Sequence, residues 1–308
     1  MKIADVSEFY APQGGGVKTY VEAKFRAADR LGHTLVVIAP GPEDRVEPRP
    51  GGRIVWVKSP AMPADPRYRM FWKAEPVWRV LDQENPDMVE GSSPWRGGWL
   101  AGQWKGKAPR ALFMHADPVA VYPQTLLGGF LSEKTIDGFF GWFWRYLRRL
   151  DSAYDCCVVA GQWLADRFAR QGLERIEVVP FGIRGGEFSP DLRDETLRAS
   201  MLAACGLERS ATLLVTVGRH HPEKRVPMLM RAISMVPKGQ PVGLYVIGDG
   251  LQHAKVRKLA ADLPHVHIAG AETDRIKLAR MMASADALFH GSTAETFGFV
   301  VAEALCSG

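Results

Sequence analysis

Two glutamates near the end of the chain, Glu295 and Glu303, are the residues whose types and spacing most clearly suggest chemistry. Seven residues separate them, and apolar residues at helical spacing predict a helix that begins near Phe297 or Gly298. The start of a helix offers backbone N–H groups and a positive dipole end to an anion such as a diphosphate. A glycine lets a ligand approach the backbone, and ionised carboxylates accept hydrogen bonds from sugar or ribose hydroxyls. The segment therefore predicts a site for a phosphorylated sugar.

Two cations, Arg219 and Lys224, follow the predicted strand Thr212–Val217 in the sequence VGRHHPEKRV. Loops after the strands of an open α/β sheet lie at its carboxyl edge, where ligands bind. Arginine offers a planar fork of donors and lysine a point charge, and both suit phosphate oxygens. We expect this pair to bind a diphosphate, although a solvated basic loop has the same composition.

In the first half of the chain, the candidates are His115 and Asp117, at the end of a predicted strand, and a glycine-rich loop that includes Gly15 and Gly16. The loop precedes a predicted helix and suits a phosphate or a closely approaching substrate. A dinucleotide fingerprint needs glycine at position 19, where Thr19 stands, so a nicotinamide dehydrogenase is disfavoured. Asp117 either orients an acceptor hydroxyl or caps the next turn.

Short apolar runs alternate with helical patterns along the chain, which predicts an α/β protein with parallel sheets covered on both faces. Two sets of runs predict two doubly wound Rossmann-like domains, residues 1–182 and 183–308, with a hinge in Pro180–Leu192. The predicted strands are Lys2–Val6, Thr34–Ala39, Arg53–Val57, Met88–Glu90, Ala111–His115, Cys156–Ala160, Ile176–Pro180, Thr212–Val217, Val242–Ile247, Val266–Ile268 and Ala287–His290.

The motifs ETFG…E, GR-x4-K and the early GGG loop resemble those of retaining family 4 glycosyltransferases with the GT-B fold. The resemblance implies two domains facing a cleft, with Glu295 contacting the donor sugar and Glu303 the nucleotide ribose. It implies that Arg219 and Lys224 hold the donor diphosphate and that His115 contacts the sugar near the reacting carbon. The second predicted sheet stops earlier than the family's pattern, so we expect a C-terminally incomplete second domain.

The function that this resemblance implies is transfer of a hexose from a nucleotide diphosphate-sugar to an acceptor hydroxyl, with retention of configuration. Catalytic roles are expected for His115, Arg219, Lys224 and Glu295. Donor or acceptor contacts are expected for Gly15, Gly16, Asp117, Phe297, Gly298 and Glu303. No D-x-D pair occurs in a loop context, so we expect no metal and no cofactor beyond the donor.

Composition narrows the class of partner without choosing one. A formal charge of +5 and a pI of about 9.0 suit anionic substrates or an anionic membrane, and no nucleic-acid motif accompanies them. No signal peptide and no run of eighteen apolar residues is found, which favours the cytoplasm. The aromatic and basic stretch Gly128–Leu150 predicts helix packing, or contact with the inner face of a membrane that suits a lipid-linked acceptor.

Three rival functions remain open at this stage. A glycoside hydrolase would use the two glutamates as a pair about 5–9.5 Å apart. Eight helical steps of about 1.5 Å separate their backbones by about 12 Å, which argues against such a pair. A GT-B sugar-nucleotide epimerase would share the donor site, and a non-catalytic nucleotide- or membrane-binding scaffold would share the fold.

Overall fold

The computed structural model describes residues 1–12, 16–63, 65–183, 186–237, 239–292, 295 and 297–308. The chain divides into two compact units. The first unit comprises residues 1–117 and 134–181, and the second comprises residues 118–133 and 182–308. The segment 118–133 therefore groups with the second unit, whereas the sequence-based division at 182/183 assigned it to the first domain.

Strands and helices alternate along most of the chain. The strands are β1 (Lys2–Val6), β2 (Thr34–Gly41), β3 (Arg45–Arg49), β4 (Gly52–Lys58), β5 (Ala61–Met62), β6 (Asp65–Arg69), β7 (Met88–Gly91), β8 (Arg110–Met114), β9 (Cys156–Val159), β10 (Ile176–Val178), β11 (Thr212–Val217), β12 (Val242–Ile247), β13 (Val266–Gly270) and β14 (Ala287–Leu288). The α-helices are α1 (Gly16–Leu31), α2 (Glu75–Glu84), α3 (Arg96–Gln103), α4 (Thr125–Leu127), α5 (Glu133–Phe139), α6 (Gly141–Asp151), α7 (Gln162–Arg170), α8 (Glu195–Ala204), α9 (Val226–Ser234), α10 (His253–Ala261), α11 (Arg275–Ser284) and α12 (Phe299–Ser307).

Each strand expected from the sequence is present, with its ends displaced by at most two residues. The sequence-based list missed β3, β5 and β6. The β3 strand reads RVEPR, and its charged residues and Pro48 lack the apolar run that marks the buried parallel strands. It pairs antiparallel with β4 at the edge of the sheet, where a proline is tolerated.

The first unit is built on an eight-stranded sheet in the order β10-β9-β8-β7-β1-β2-β4-β3. All neighbours except β3 and β4 are parallel. Successive strands run outward from β1 in both directions, so a topological switch point lies between β1 and β7. Helix α1 packs Val21, Phe25 and Ala28 against buried residues of β2 and β4. Apolar burial of this kind stabilises the unit by about 1.5–3 kcal/mol for each large side chain.

A buried polar cluster lies at that switch point in the first unit. The ammonium of Lys24, on α1, is 2.8 Å from the carboxylate of Asp5 and 2.9 Å from that of Glu90. The Ser92 hydroxyl donates to Asp5 at 2.6 Å, and the Tyr20 hydroxyl donates to Glu90 at 3.0 Å. One cation between two buried carboxylates holds α1 against β1 and β7, and the hydroxyls supply further hydrogen bonds.

The second unit is built on a four-stranded parallel sheet in the order β13-β12-β11-β14. Helices α8, α11 and α12 pack on one face around Leu202, Leu213 and Val215. Helices α9 and α10 cover the other face around Met230 and Val246. Because β12 and β14 lie on opposite sides of β11, this sheet also has a switch point, between β11 and β14.

The parallel sheets with helices on both faces confirm the predicted α/β, doubly wound architecture. Within the described ranges, we find no helix of the length and apolarity needed to span a bilayer.

Arg167, on α7, anchors a buried ion-pair cluster in the first unit. Its Nε donates to the Asp117 carboxylate, and its Nη1 and Nη2 donate to Asp137 at 2.9 and 2.7 Å. Arg167 and Asp117 are both buried, so the charges are largely removed from water. Removing one member of such a pair exposes the other to the full cost of an uncompensated buried charge.

We predict that Arg167→Ala lowers the free energy of unfolding of the first unit by about 3–5 kcal/mol. Tryptophan fluorescence during urea unfolding reports this unit alone, because all nine tryptophans of the chain lie within its ranges. Arg170→Ala, an exposed position on the same helix, is the control and should change stability by less than about 0.5 kcal/mol. Equal stability of the two variants would contradict the assigned role of Arg167.

Candidate functional site

The loops after β11 and β14 meet at the switch point of the second sheet. Parallel strands place their following loops at one edge, and ligands of open α/β sheets bind where the strand order reverses. The loop after β11 contains Arg219 and Lys224, and the loop after β14 contains Glu295. The topology therefore brings together residues that lie 71 positions apart in the chain.

The Lys224 ammonium donates a hydrogen bond to Oε1 of Glu295 and forms an ion pair with it. The Nε2 atom of His290, just after β14, lies 3.1 Å from the same oxygen. All three side chains are mostly buried. The sequence motifs GR-x4-K and ETFG are thus joined through one carboxylate oxygen.

Burial raises the pKa of the Glu295 carboxyl, but hydrogen bonding from His290 and the charge of Lys224 outweigh it and lower the pKa to about 2. Glu295 is therefore ionised throughout the neutral range. An ionised carboxylate only accepts hydrogen bonds, so it suits a hydroxyl-rich ligand.

Arg219 lies in the same loop and faces solvent, with 71% of its side chain exposed. Its Nη2 is 3.5 Å from the carboxylate of Glu223, which is buried. A long, exposed guanidinium with one weak contact can move onto an anion with little cost. Arg219 is thus exposed and only weakly paired, whereas Lys224 is mostly buried and bound to Glu295.

Helix α12 begins directly after Gly298, which has a left-handed backbone with φ of 75°. An added Cβ at Gly298 would lie 3.9 Å from the Cβ of Glu295, so the helix start and this glutamate are neighbours. Phe297 lies before the helix and packs edge-on against Phe299 with ring centroids 5.0 Å apart. The helix begins at Phe299, one residue after Gly298, which is close to the start predicted from the sequence.

Glu303, on α12, is buried and binds a different cation. Its Oε1 is 2.9 Å from Nη2 of Arg275, the first residue of α11. The Nε of the same guanidinium donates to Glu187 at 2.7 Å. Burial raises the pKa of Glu303, and Arg275 partly opposes that rise. The two motif glutamates thus belong to separate ion pairs.

His115 follows β8 in the first unit and is packed among the rings of Tyr20, Phe113 and Phe181, with centroids 5.0, 4.8 and 6.0 Å away. Burial lowers the pKa of His115 to about 4, so its imidazole is neutral at pH 7. A neutral imidazole can orient a hydroxyl without adding a charge.

The other first-unit candidates have different surroundings. Asp117 is buried and paired with Arg167, which is a structural contact. Gly16 is the first residue of α1, and an added Cβ there would meet nothing within 4 Å. Gly15 lies outside the described residues.

The structure thus joins Lys224, Glu295 and Gly298 in one place, with Arg219 in the same loop. Sequence reasoning missed His290 and Arg275. His290 ended a predicted strand five residues before Glu295, so its position after β14 was a usable signal. Arg275 gave no signal, because its two acidic partners come from segments 28 and 88 residues away.

A groove on the first unit lies between α3 and α6 and has a volume of about 570 Å³. Its lining is aromatic and basic: Trp95, Arg96, Trp99, Trp142, Arg145, Tyr146 and Arg149. On α6, one face packs Phe143, Trp144 and Leu147 into the interior. The opposite face carries the exposed groove residues, which confirms that the arginines of this stretch face solvent.

Comparison with protein families finds two matches along the chain. Residues 14–184 match the family described as Glycosyltransferase Family 4, and residues 211–308 match the family described as Glycosyl transferases group 1. The first match spans both halves of the first unit's sheet, and the second contains the Lys224–Glu295 pair.

Among curated proteins, a GDP-mannose-dependent alpha-mannosyltransferase of Mycobacterium tuberculosis is 30% identical over all of this chain and 77% of its own length. A GDP-mannose-dependent alpha-(1-6)-phosphatidylinositol dimannoside mannosyltransferase of the same species is 25% identical over all of this chain and 78% of its own length. A solved structure of Anabaena HepE with UDP and glucose matches all of this chain and 78% of that chain, with a TM-score of 0.66 and 17% identity, and shows the same fold.

Gly248, which follows β12, determines the backbone path beside the loop that follows β11. Gly248 and Gly218 have φ of +149° and +145°. An added Cβ at Gly248 would lie 1.9 Å from the Gly218 carbonyl oxygen, so the loops after β11 and β12 touch through backbone alone.

We predict that Gly248→Ala destabilises the second unit by about 2–4 kcal/mol, since it combines a clash with backbone strain. Gly206→Ala is the matched control: Gly206 also has positive φ, at +70°, but an added Cβ meets nothing within 4 Å, so its cost should be about 1 kcal/mol. Hydrogen exchange of β11 and β12 amides measures both changes. Equal losses of protection would show that the contact with Gly218 does not matter.

Proposed function

The chain belongs to glycosyltransferase family 4, and we propose that it transfers a mannosyl group from GDP-mannose to an acceptor hydroxyl with retention of anomeric configuration. It is a glycosyltransferase of the GT-B fold that uses a nucleotide-sugar donor. The choice of mannose and GDP is supported by its relatives, which are named GDP-mannose-dependent mannosyltransferases.

The observation that carries the proposal is the Lys224–Glu295 pair at the switch point, beside the start of α12. A diphosphate there would meet a lysine, the exposed Arg219 and the positive end of a helix dipole. Glu295 would exchange its lysine contact for hydroxyls of the transferred sugar. In the unbound protein the pKa of Glu295 is about 2, so the group meets the sugar as an ionised acceptor.

The proposed reaction breaks the bond between the anomeric carbon and the diphosphate oxygen, forms a bond from that carbon to the acceptor oxygen, and moves the proton of the acceptor hydroxyl to the leaving diphosphate oxygen. Negative charge grows on the leaving diphosphate, and Lys224 and Arg219 stabilise it. Donors or cations placed in advance against such charge typically contribute 10²–10³-fold in rate. These cations support our expectation that no metal ion is needed.

Glu303 is proposed to bind the nucleotide ribose, and His115 to contact the transferred sugar through its neutral imidazole. Gly15 and Gly16 are proposed to let a substrate approach the backbone at the start of α1. Orientation of an acceptor hydroxyl by Asp117 requires that a ligand displace Arg167, because this cation binds the Asp117 carboxylate.

The rival functions differ in what they need from the two glutamates. A glycoside hydrolase needs two carboxyls that act on one bond. Here Glu295 binds Lys224 and Glu303 binds Arg275, which favours two separate ligand contacts. An epimerase or a silent scaffold would keep the donor site, and product analysis separates them from a transferase.

For the acceptor, we propose a lipid-linked glycan presented at an anionic membrane surface. The groove between α3 and α6 supports this, since Trp142 is 58% exposed and Arg145 and Arg149 lie on the same helical face. Tryptophan suits the membrane interface and arginine suits lipid phosphates. One relative is named for phosphatidylinositol dimannoside, which agrees with a lipid-linked acceptor.

We predict that Lys224→Ala lowers mannosyl transfer from GDP-mannose about 10²–10³-fold, because the leaving diphosphate loses a preorganised cation. Arg219→Ala should lose less, since Arg219 is exposed. Lys258→Ala, an exposed lysine on α10, is the charge-matched control and should keep parental activity. GDP release measures the rate, and the anomeric NMR signals of the product report its configuration. Both are measured with EDTA present. UDP- and ADP-sugars are added as competing donors. Full activity of Lys224→Ala would overturn the assignment of the diphosphate site.

We predict that the protein sediments with vesicles containing anionic phospholipid and not with neutral vesicles, and that Trp142→Ala together with Arg145→Gln weakens this binding at least tenfold. Trp163→Ala, another exposed tryptophan of the same unit, is the control and should bind as the parent does. Equal binding of the parent and the groove variant would show that the groove is not the membrane contact.

A further inference from the structure

Arg275 has three contacts from two segments: Glu187 and Phe188 are adjacent in the chain, and Glu303 lies on α12. Its Nε donates to Glu187 at 2.7 Å, and its Nη2 is 2.9 Å from Oε1 of Glu303. Its guanidinium carbon lies 5.0 Å from the centre of the Phe188 ring, which adds a cation–π contact. A guanidinium fixed at two edges and one face cannot easily turn, so it defines where the Glu303 carboxylate lies.

Glu303 depends on that cation for its charge. Only 7% of its side chain is exposed, and burial disfavours the ionised form of a carboxyl group. Glu187, the other acidic group near it, has the same sign of charge and also disfavours ionisation. Within the described part of the chain, Arg275 is the charged group that favours the Glu303 carboxylate.

We propose that Arg275 is a positioning residue that keeps the Glu303 carboxylate ionised and oriented to accept hydrogen bonds from the two ribose hydroxyls of the donor nucleotide. This inference rests on the proposed function, in which Glu303 binds ribose. Arg275 lies outside the sequence motifs, and the ribose is the part of the donor whose binding depends on it.

Both the charge and the orientation of the Glu303 carboxylate matter for binding a ribose. Its 2′ and 3′ hydroxyls are neighbouring O–H donors, and an ionised carboxylate accepts from both. A protonated carboxyl turns one oxygen into a donor and loses part of that capacity. Arg275 occupies Oε1 from one side and so fixes the plane of the carboxylate.

The pH dependence follows from the sign of these effects. Burial already raises the pKa of Glu303, and removing Arg275 removes the cation that opposes this rise, so the pKa rises further. Ribose binding needs the ionised form of Glu303. As the pH falls, the variant should therefore lose ribose binding at a higher pH than the parent does. As the pH rises, the variant should recover that binding.

The test is calorimetric titration of the full chain with GDP and with its 2′,3′-dideoxy analogue, with UDP in place of GDP if UDP binds more tightly. Arg275→Gln should weaken binding of the ribonucleotide about tenfold at pH 7, a size typical of a lost charged hydrogen bond, and leave the dideoxy analogue nearly unchanged. The loss should shrink at pH 9 and grow at pH 6. Arg275→Lys should recover part of the affinity.

Lys277→Gln is the matched control, since it removes one positive charge from the same helix at a residue paired with Glu272 instead. It should bind both nucleotides as the parent does. Equal weakening of both nucleotides by Arg275→Gln would show a purely structural role and overturn the inference. Unchanged binding of both would overturn it as well.

The same titrations separate this inference from the proposed function. If Lys224→Ala weakens both nucleotides and Arg275→Gln weakens neither, the diphosphate site stands and the positioning role fails. If Lys224→Ala binds both nucleotides like the parent, the donor site itself is wrong, and the inference fails with it.

Discussion

The ion pair between Lys224 and Glu295 is the interaction on which the account of the site depends. It closes the switch point of the second sheet by joining the loop after β11 to the loop after β14. It also places a carboxylate, which accepts hydrogen bonds from hydroxyls, beside a cation, which binds anionic oxygens. A sugar diphosphate has both kinds of group: its hydroxyls suit the glutamate and its phosphate oxygens suit the lysine.

Backbone geometry at three glycines brings together the loops around that ion pair. Gly218 and Gly248 let the loops after β11 and β12 touch without side chains, and Gly298 turns the chain into α12 beside Glu295. Each motif glutamate then has its own cation: Lys224 for Glu295 and Arg275 for Glu303. Under the proposed function, these two carboxylates bind two different rings of one donor, the sugar and the ribose.

Most of the fold could be predicted from the sequence, because buried parallel strands are continuous apolar runs that a linear pattern reveals. The strand β3 could not, since its pairing with β4 comes from tertiary context and its residues are charged. Spacing and resemblance singled out Lys224 and Glu295, which the structure places in contact. Arg275 escaped because nothing local marks an arginine whose acidic partners lie far away in the chain, and Asp117 was ambiguous because its partner Arg167 lies 50 residues downstream.

The most direct test of the central claim is a crystal structure of the protein with GDP-mannose or a non-hydrolysable analogue bound. The account predicts diphosphate oxygens within hydrogen-bonding distance of Lys224 and the first turn of α12, with Glu295 turned from the lysine to the sugar hydroxyls. A donor bound elsewhere, with the Lys224–Glu295 contact unchanged, would contradict it.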